Sequence, residues 1–196
     1  MERTTERLLL RSWKESDAKS IERVEVLSMS KLVILRGNSG SGKTTIAKKL
    51  QNRFGRNTMI ISQDAIRREM LKVKDGPTTE AIPLMQELLI YGNKHCEVTI
   101  LEGIMYADWY RPLFECAIRA FEDRIYAYYF ELPFGETLRR HQTRDKVSSF
   151  GEEEMREWWR EKDYLGLVKE DVITKEETME NIVERIYRKV TEREQL

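Results

Sequence analysis

The sequence predicts an α/β domain: a five-stranded parallel sheet with helices on both faces. Three observations carry this. Short β-branched or leucine-rich runs alternate with segments of helical periodicity along the chain. The first run, 31–36 (KLVILR), is continuously apolar from Leu32 to Leu35, as a strand buried on both faces must be. The strands are separated by helix-sized segments, which is what parallel crossovers require.

Taken in order, 31–36 runs into a glycine and reads as the first strand. At 45–54, Ile46, Ala47, Leu50 and Phe54 fall at helical spacing, and Gly55 stands where a C-cap glycine belongs. The second strand is 58–62. A short helix at 65–72 leads to an Asp75-Gly76-Pro77 turn. A longer helix covers 78–94, and Pro83 allows it to begin one turn later. The third strand is 98–101, followed by a helix at 109–121 with Pro112 near its start. The fourth strand is 125–130 and a helix follows at 134–143. The fifth strand is 171–174. The closing helix, 176–193, carries Met179, Ile182, Val183, Ile186 and Val190 as its apolar stripe. The stretch 139–163 departs from the pattern. It is highly charged with little apolar core, and reads as a solvated helical pair or a mobile lid. Within it Gly151 is a candidate hinge, and Glu152, Glu153 and Glu154 suit a helix N-terminus.

A chain of 196 residues suits one compact domain with a short appendage, and 40% hydrophobic residues suffice for a core. The 34 basic and 34 acidic residues balance to zero formal charge, so the global field does not favour nucleic acid; a local basic patch stays open. Cys96 and Cys116 form neither a CxxC pair nor a disulfide framework. With His95 and His141 they reach no known zinc-ligand spacing, and His95-Cys96 reads as a surface histidine beside a packed cysteine. No apolar run is long enough to span a membrane, and the charged N-terminus lacks a signal-peptide core, so the cytoplasm is the expected compartment.

The segment Gly37-Asn38-Ser39-Gly40-Ser41-Gly42-Lys43-Thr44 fits G-x-x-x-x-G-K-[ST] in full, between a strand and a helix. The glycines let backbone N–H groups converge on phosphate oxygens, and the following helix, with Thr45 in its first turn, adds its positive dipole end. Lys43 is expected on the β- and γ-phosphates and Thr44 on Mg²⁺. The chain is therefore read as binding a nucleotide with Mg²⁺.

Asp64 lies just beyond the second strand, at the strand end where open α/β sheets place ligands. It reads as a general base for an acceptor hydroxyl, or as the N-cap of the next helix. Arg67, three residues on, can bind a phosphate on the acceptor or orient Asp64. Glu102 closes the third strand as a Walker-B-like acid for Mg²⁺, although it is Glu rather than Asp; the alternative is a plain strand-end glutamate. Arg139, Arg140 and Arg144 follow the fourth strand. Arg140 and Arg144 share a helix face and read as a clamp on the transferring phosphoryl group, or as a solvated basic face. Trp158 and Trp159 pack their helix or cover the acceptor. Tyr106, Trp109 and Tyr110 are candidate pocket residues.

Residues 29–196 resemble the P-loop kinase group that includes polynucleotide kinase, zeta-toxin-like kinases and related small-molecule kinases. The resemblance rests on the full P-loop, on Asp64-Ala65-Ile66-Arg67, similar to the D-x-x-R element of polynucleotide-kinase-like enzymes, and on Arg140-His141-Gln142-Thr143-Arg144 after Phe130-Glu131-Leu132-Pro133. It implies a three-layer P-loop kinase fold of sheet order 2-3-1-4-5 with a mobile lid near 139–163. It also implies ATP as the nucleotide, Asp64 as base and lid arginines on the phosphates. The expected activity is transfer of the ATP γ-phosphoryl group to a hydroxyl of a small molecule such as a nucleoside, sugar or antibiotic. A 5′-hydroxyl nucleic-acid end is the alternative acceptor, and an NTPase or switch without an acceptor is the third reading. Before this domain, Thr5 to Arg11 with Trp13, Asp17 and Ala18 resemble the opening strand and helix of a GNAT-type acetyltransferase. The acetyl-CoA pyrophosphate loop does not follow. Residues 1–28 are therefore expected to be an appendage without acetyltransferase activity.

Overall fold

The computed structural model describes residues 30–142 and 151–192. The GNAT-like segment, residues 1–28, lies outside the described residues, as do Arg144 and the rest of 143–150. Five strands, Lys31–Gly37 (β1), Thr58–Ser62 (β2), Val98–Gly103 (β3), Ile125–Phe130 (β4) and Glu170–Ile173 (β5), are all parallel and pair in the order β2-β3-β1-β4-β5. Both the sense and the order are those expected.

Strand alternation divides the core in two. Leu32 and Ile34 of β1, with Leu101 and Ala127, face one side and pack on Ala81–His95 (α2) and Arg111–Phe121 (α3) through Met85, Leu89, Leu113 and Phe114. Val33 and Leu35, with Ile100 and Tyr128, face the other and pack on Lys43–Phe54 (α1) and Met179–Thr191 (α6). Because β1 is central and covered on both faces, its apolar run has no polar alternation. Two further helices, Phe134–Gln142 (α4) and Glu152–Glu157 (α5), lie beyond β4.

Several boundaries differ from expectation for local reasons. The helix α2 begins at Ala81, which puts Pro83 in the first turn, where its missing N–H leaves no intrahelical bond unmade. The expected short helix at 65–72 is a π-helical turn, Ala65–Met70, closed by the Leu71 N–H donating to the Ile66 carbonyl at 2.9 Å. Such turns are rare and recur at functional sites. Met179 leaves the apolar stripe: it is exposed in the first turn of α6, where Thr178 caps the Asn181 N–H, while Ile182, Ile186 and Val190 are buried. The charged stretch near 151–163 has an apolar anchor after all. Met155 is buried, and Trp159 packs edge-to-face on Phe134 with ring centroids 5.1 Å apart.

One buried charge organises the ligand end of the sheet. Arg36 follows Leu32 and Ile34 on the α2/α3 face and is fully buried. Its Nε and Nη2 donate to the Met105 carbonyl at 3.0 and 2.9 Å. Nη2 also reaches Asp163 Oδ2 at 2.8 Å, and Nη1 reaches the Asp163 carbonyl and Glu170 Oε1, each at 2.9 Å. All five N–H donors of the fork are thereby used. The guanidinium lies between the Phe114 and Tyr129 rings, 5.3 and 5.7 Å from their centroids. Replacing it with Met keeps the volume but leaves the Asp163 and Glu170 carboxylates, 15% and 2% exposed, without their cation. Arg36→Met is expected to lose about 3–5 kcal/mol of unfolding free energy in urea denaturation. Arg36→Lys should recover only part, because one ammonium cannot span these acceptors.

Candidate active site

The P-loop leaves β1 at Gly37 and ends as Lys43 opens α1. Gly40 sits at φ +78° with its α-carbon against α4, so an added Cβ would lie 2.5 Å from the Thr137 carbonyl oxygen. Gly42 precedes α1 at φ +99° and offers no capping side chain, and the first turn carries no acidic residue. The N-terminal amides of α1 are thus left to an anion. Lys43 is buried and folds back over the loop, its Nζ donating to the Asn38 carbonyl at 2.8 Å and to Ser41 Oγ at 3.1 Å. Those are the contacts a phosphate oxygen would take over.

Glu102, at the end of β3, is buried on the α1 side. Its Oε2 accepts from Thr44 Oγ1 at 3.1 Å, and its Oε1 accepts from Ser62 Oγ at 2.5 Å. Ser62 is its register partner on β2. The two residues expected to serve Mg²⁺, Thr44 and Glu102, are therefore in contact. Their hydroxyl and carboxylate oxygens form a hard donor set that fits that ion, which takes few protein ligands beside substrate phosphates. Ser62 was not foreseen. Its signal was a polar residue at the last position of an otherwise apolar-facing strand.

Asp64 opens the π-helical turn without a side-chain capping bond, so capping is not what its carboxylate does. The carboxylate is 59% exposed and pairs with Arg67 at 3.1 Å and Arg68 at 3.2 Å. Arg67 is nearly buried. Its Nε has no hydrogen-bond partner among the described residues and stands 3.9 Å from Asp75 Oδ2. Arg67 leads into a cavity of about 510 Å³ lined by Asp75, Tyr106, Trp109, Trp158 and Arg160. It opens beside the carboxyl ends of β2 and β3, where ligands of such sheets bind. A second hollow of about 490 Å³, bordered by Asn57, His95 and Glu97, lies at the amino ends of the strands, away from the P-loop.

Of the three aromatic candidates, Tyr106 and Trp109 line the cavity. Tyr110 does not. It is fully buried, accepts from Gln63 Nε2 at 2.7 Å and donates to Asp75 Oδ1 at 2.6 Å. Burial, and after it the bond to Asp75, pushes its phenol above the ordinary range. The tryptophan pair divides: Trp158 faces the cavity, whereas Trp159 packs on Phe134.

The cavity wall is bonded to the P-loop. Asn38 Nδ2 donates to the Arg160 carbonyl at 2.7 Å while the Arg160 N–H donates to Asn38 Oδ1 at 3.1 Å. The Arg160 guanidinium then lies 3.9 Å from the Tyr106 ring centroid and pairs with Asp108 at 2.6 Å. The Tyr106 hydroxyl donates to the Trp158 carbonyl at 2.6 Å, and burial pushes its pKa to about 12, so it remains a donor. Neither clasp was legible beforehand, since each joins a loop residue to main chain more than fifty positions away.

Of the arginines after β4, Arg140 lies over the phosphate loop. Its Nη1 donates to the Ser41 carbonyl at 3.3 Å and its Nε to Glu136 Oε1 at 2.6 Å. Arg139 pairs with the same glutamate from an exposed position, which fits the solvated alternative. Arg144 lies outside the described residues.

These features define a P-loop nucleotide-binding protein with a P-loop kinase fold. A family model described as an AAA domain (AAA_33) matches residues 32–162, well over half of the 196-residue chain, and the chain belongs to that family. Among solved structures, the fold is similar to a Deinococcus radiodurans tunicamycin resistance protein at 17% identity and TM-score 0.57, covering 83% of this chain and 96% of that one. It is similar to a gluconokinase from Sinorhizobium meliloti 1021 at 14% identity and TM-score 0.58, covering 83% and 92%. It is also similar to the Mycobacterium tuberculosis APS kinase in complex with AMPPNP and APS, at 15% identity and TM-score 0.57, covering 80% and 95%. No curated protein matches the chain in sequence. Among the described residues no helix is long and apolar enough to cross a membrane.

Hydrogen bonds from Arg139 and then Arg140 hold the Glu136 carboxyl at about 2, against an ordinary 4.5. A depressed carboxyl stabilises its pairs above its unfolded pKa and loses that contribution as pH falls through the folded value. The anchor of Arg140 is therefore expected to persist through pH 4 and to fail only toward pH 2. A carboxyl carbon-13 titration of Glu136 checks this. Its midpoint should move up toward 4.5 when Arg139→Gln and Arg140→Gln are combined.

Proposed function

We propose that this chain is an ATP- and Mg²⁺-dependent phosphotransferase that moves the γ-phosphoryl group to a hydroxyl of a small-molecule acceptor. The observation that carries this is the presence of two sites: a P-loop with Thr44 on Glu102, and a separate walled cavity lined by Arg67 and Arg68, the two arginines that pair with Asp64. An NTPase or switch has no use for the second.

In this reading the catalytic unit is residues 29–196, with 139–163 as its lid. The backbone of 37–45 cradles the phosphates, with Gly37, Asn38, Ser39, Gly40, Ser41, Gly42, Thr44 and Thr45 contributing the loop and first helical turn. Lys43 leaves its internal contacts to meet the β- and γ-oxygens. Thr44 and Glu102 would hold Mg²⁺, which supplies neutralisation of the phosphate charge. Asp64, exposed toward solvent and flanked by two arginines, accepts the proton of the attacking hydroxyl. Arg67 keeps that carboxylate oriented at the cavity mouth. Arg140, already over Ser41, is placed to stabilise charge on the transferring group, and Arg144 is read as the second arginine of that clamp. The acceptor occupies the aromatic cavity. The fold neighbours include a gluconokinase and an APS kinase, which supports a small-molecule acceptor.

A 5′-hydroxyl polynucleotide end is the second reading. The arginines at the cavity mouth, Arg67, Arg68 and Arg160, are what favours it. Binding of such an end weakens steeply with salt, and binding of an uncharged metabolite does not.

The test is transfer from γ-labelled ATP to a panel of nucleosides, sugars, aminoglycosides and 5′-hydroxyl oligonucleotides. One acceptor should become labelled. Asp64→Asn should lower the rate by about 10²–10⁴-fold, and Lys43→Ala should abolish transfer. Phosphate release that needs no acceptor and is unchanged in Asp64→Asn would leave an NTPase instead.

A further inference from the structure

The Glu102 carboxylate is held from two sides, and only one of its holders belongs to the phosphate loop. Strand alternation sets this up. Ile60 and Ile100 both pack on the α1 side of the sheet, so Ser62 and Glu102, two residues further along each strand, point the same way. Parallel pairing puts them in register. The Ser62 hydroxyl donates to Glu102 Oε1 at 2.5 Å, and Thr44, in the first turn of α1, donates to Oε2 at 3.1 Å. Each carboxylate oxygen therefore has its own hydroxyl. Glu102 is only 3% exposed, and among the described residues it forms no ion pair. A buried carboxylate without a cation is costly, so this arrangement suits a group that gains one.

Two demands then fall on Ser62. An aspartate carries its carboxyl one methylene from the backbone; Glu102 carries it two away, with one more torsion to fix at an entropic cost. Mg²⁺ also tolerates little misplacement. It takes near-ideal octahedral oxygens at about 2.0–2.1 Å, whereas Ca²⁺ accepts more oxygens at about 2.3–2.6 Å in looser geometry. Thr44 cannot supply the fixing alone, because it is itself read as a ligand and its oxygen follows the ion. Ser62 stands on sheet-fixed backbone and bonds the oxygen that Thr44 leaves free.

We propose that Ser62 is a positioning residue for the metal: it anchors Glu102 Oε1, so that Oε2 is presented to Mg²⁺ together with Thr44, and it thereby gives the site its preference for Mg²⁺ over Ca²⁺. Ser62 acts through Glu102 and is not a ligand. This rests on the reading of Thr44 and Glu102 as the Mg²⁺ residues and adds what fixes and selects the ion there.

The experiment keeps AMPPNP below the protein concentration, so that the nucleotide is bound, and titrates Mg²⁺ or Ca²⁺ into that complex calorimetrically. Ser62→Ala removes the donor, Ser62→Cys keeps a similar volume with only a weak donor, and Ser62→Thr keeps the hydroxyl. Ser62→Ala and Ser62→Cys should each weaken Mg²⁺ by about tenfold, as loss of an outer-shell partner does. Ca²⁺ should weaken by less than about threefold, because its geometry is looser. Ser62→Thr should stay within about twofold of wild type. AMPPNP affinity in EDTA should be unchanged throughout, which also controls for folding. In a Glu102→Ala background, Ser62→Ala should have no further effect on Mg²⁺. Undiminished Mg²⁺ affinity in Ser62→Ala, equal losses for Mg²⁺ and Ca²⁺, or a Ser62→Thr variant as weak as Ser62→Ala overturns the proposal. So does a tenfold loss that persists without Glu102, which would make Ser62 a ligand in its own right. Glu102→Ala separates the two readings. If it leaves Mg²⁺ affinity unchanged, the reading of Glu102 as a metal residue falls. If it weakens Mg²⁺ and Ser62→Ala does not, the proposal for Ser62 falls alone.

Discussion

The fold's ligand end hangs on one guanidinium. Arg36 is the last side chain of the central strand before the phosphate loop, and its five donors reach three other segments: Met105 after β3, Asp163 before β5, and Glu170 at the start of β5. Burying a charge so deeply is tolerable only because the fork is fully hydrogen-bonded and balanced by two carboxylates. The arrangement also explains a local cost. Met105 is a non-glycine residue at φ +44°, a conformation that costs on the order of 1 kcal/mol or more, and its carbonyl accepts twice from Arg36. Gly37 follows at once, where an added Cβ would lie 2.7 Å from the Phe130 carbonyl oxygen. The loop that cradles phosphate therefore starts from a point fixed on several sides.

From that point the two halves of the site are assembled by different means. The nucleotide half is made by sheet register: Ser62 and Glu102 are neighbours because β2 and β3 pair there, and Thr44 reaches the same carboxylate from α1. The cavity half is made by long-range clasps. Asn38 holds the main chain of Arg160, Tyr106 holds that of Trp158, and Asp163 accepts from both Arg36 and the Ala107 N–H. The wall of the cavity is thus fastened to the phosphate loop through Asn38 and to the central strand through Arg36.

Much of this was legible in advance. The alternation of short strands with helix-sized segments gave the parallel sense, and the resemblance to P-loop kinases gave the sheet order. The P-loop needed no tertiary information, because its glycines and lysine are adjacent in sequence, and Thr44 and Glu102 were paired by their places at a helix start and a strand end. What stayed hidden depended on distant neighbours. Arg36 read as the end of an apolar run, since only its partners more than sixty residues away make its burial possible. Tyr110 and Tyr106 are four residues apart and looked alike, yet one serves the core and the other the cavity. The π-helical turn at Ala65–Met70 kept Asp64 from acting as a plain cap, a backbone detail that composition does not encode.

The phosphate loop and the cavity wall form one unit through Asn38, and hydrogen exchange measures that directly. Fixing the loop with Mg·AMPPNP should steady Asn38 and through it the segment 158–163, because binding and local opening are linked. Exchange across that segment should slow on nucleotide binding, most of all at the Arg160 amide, which donates to Asn38 Oδ1. In Asn38→Ala the nucleotide should still bind but the slowing should vanish. Unchanged exchange over 158–163 in the wild-type protein, or slowing that persists in Asn38→Ala, would contradict the account.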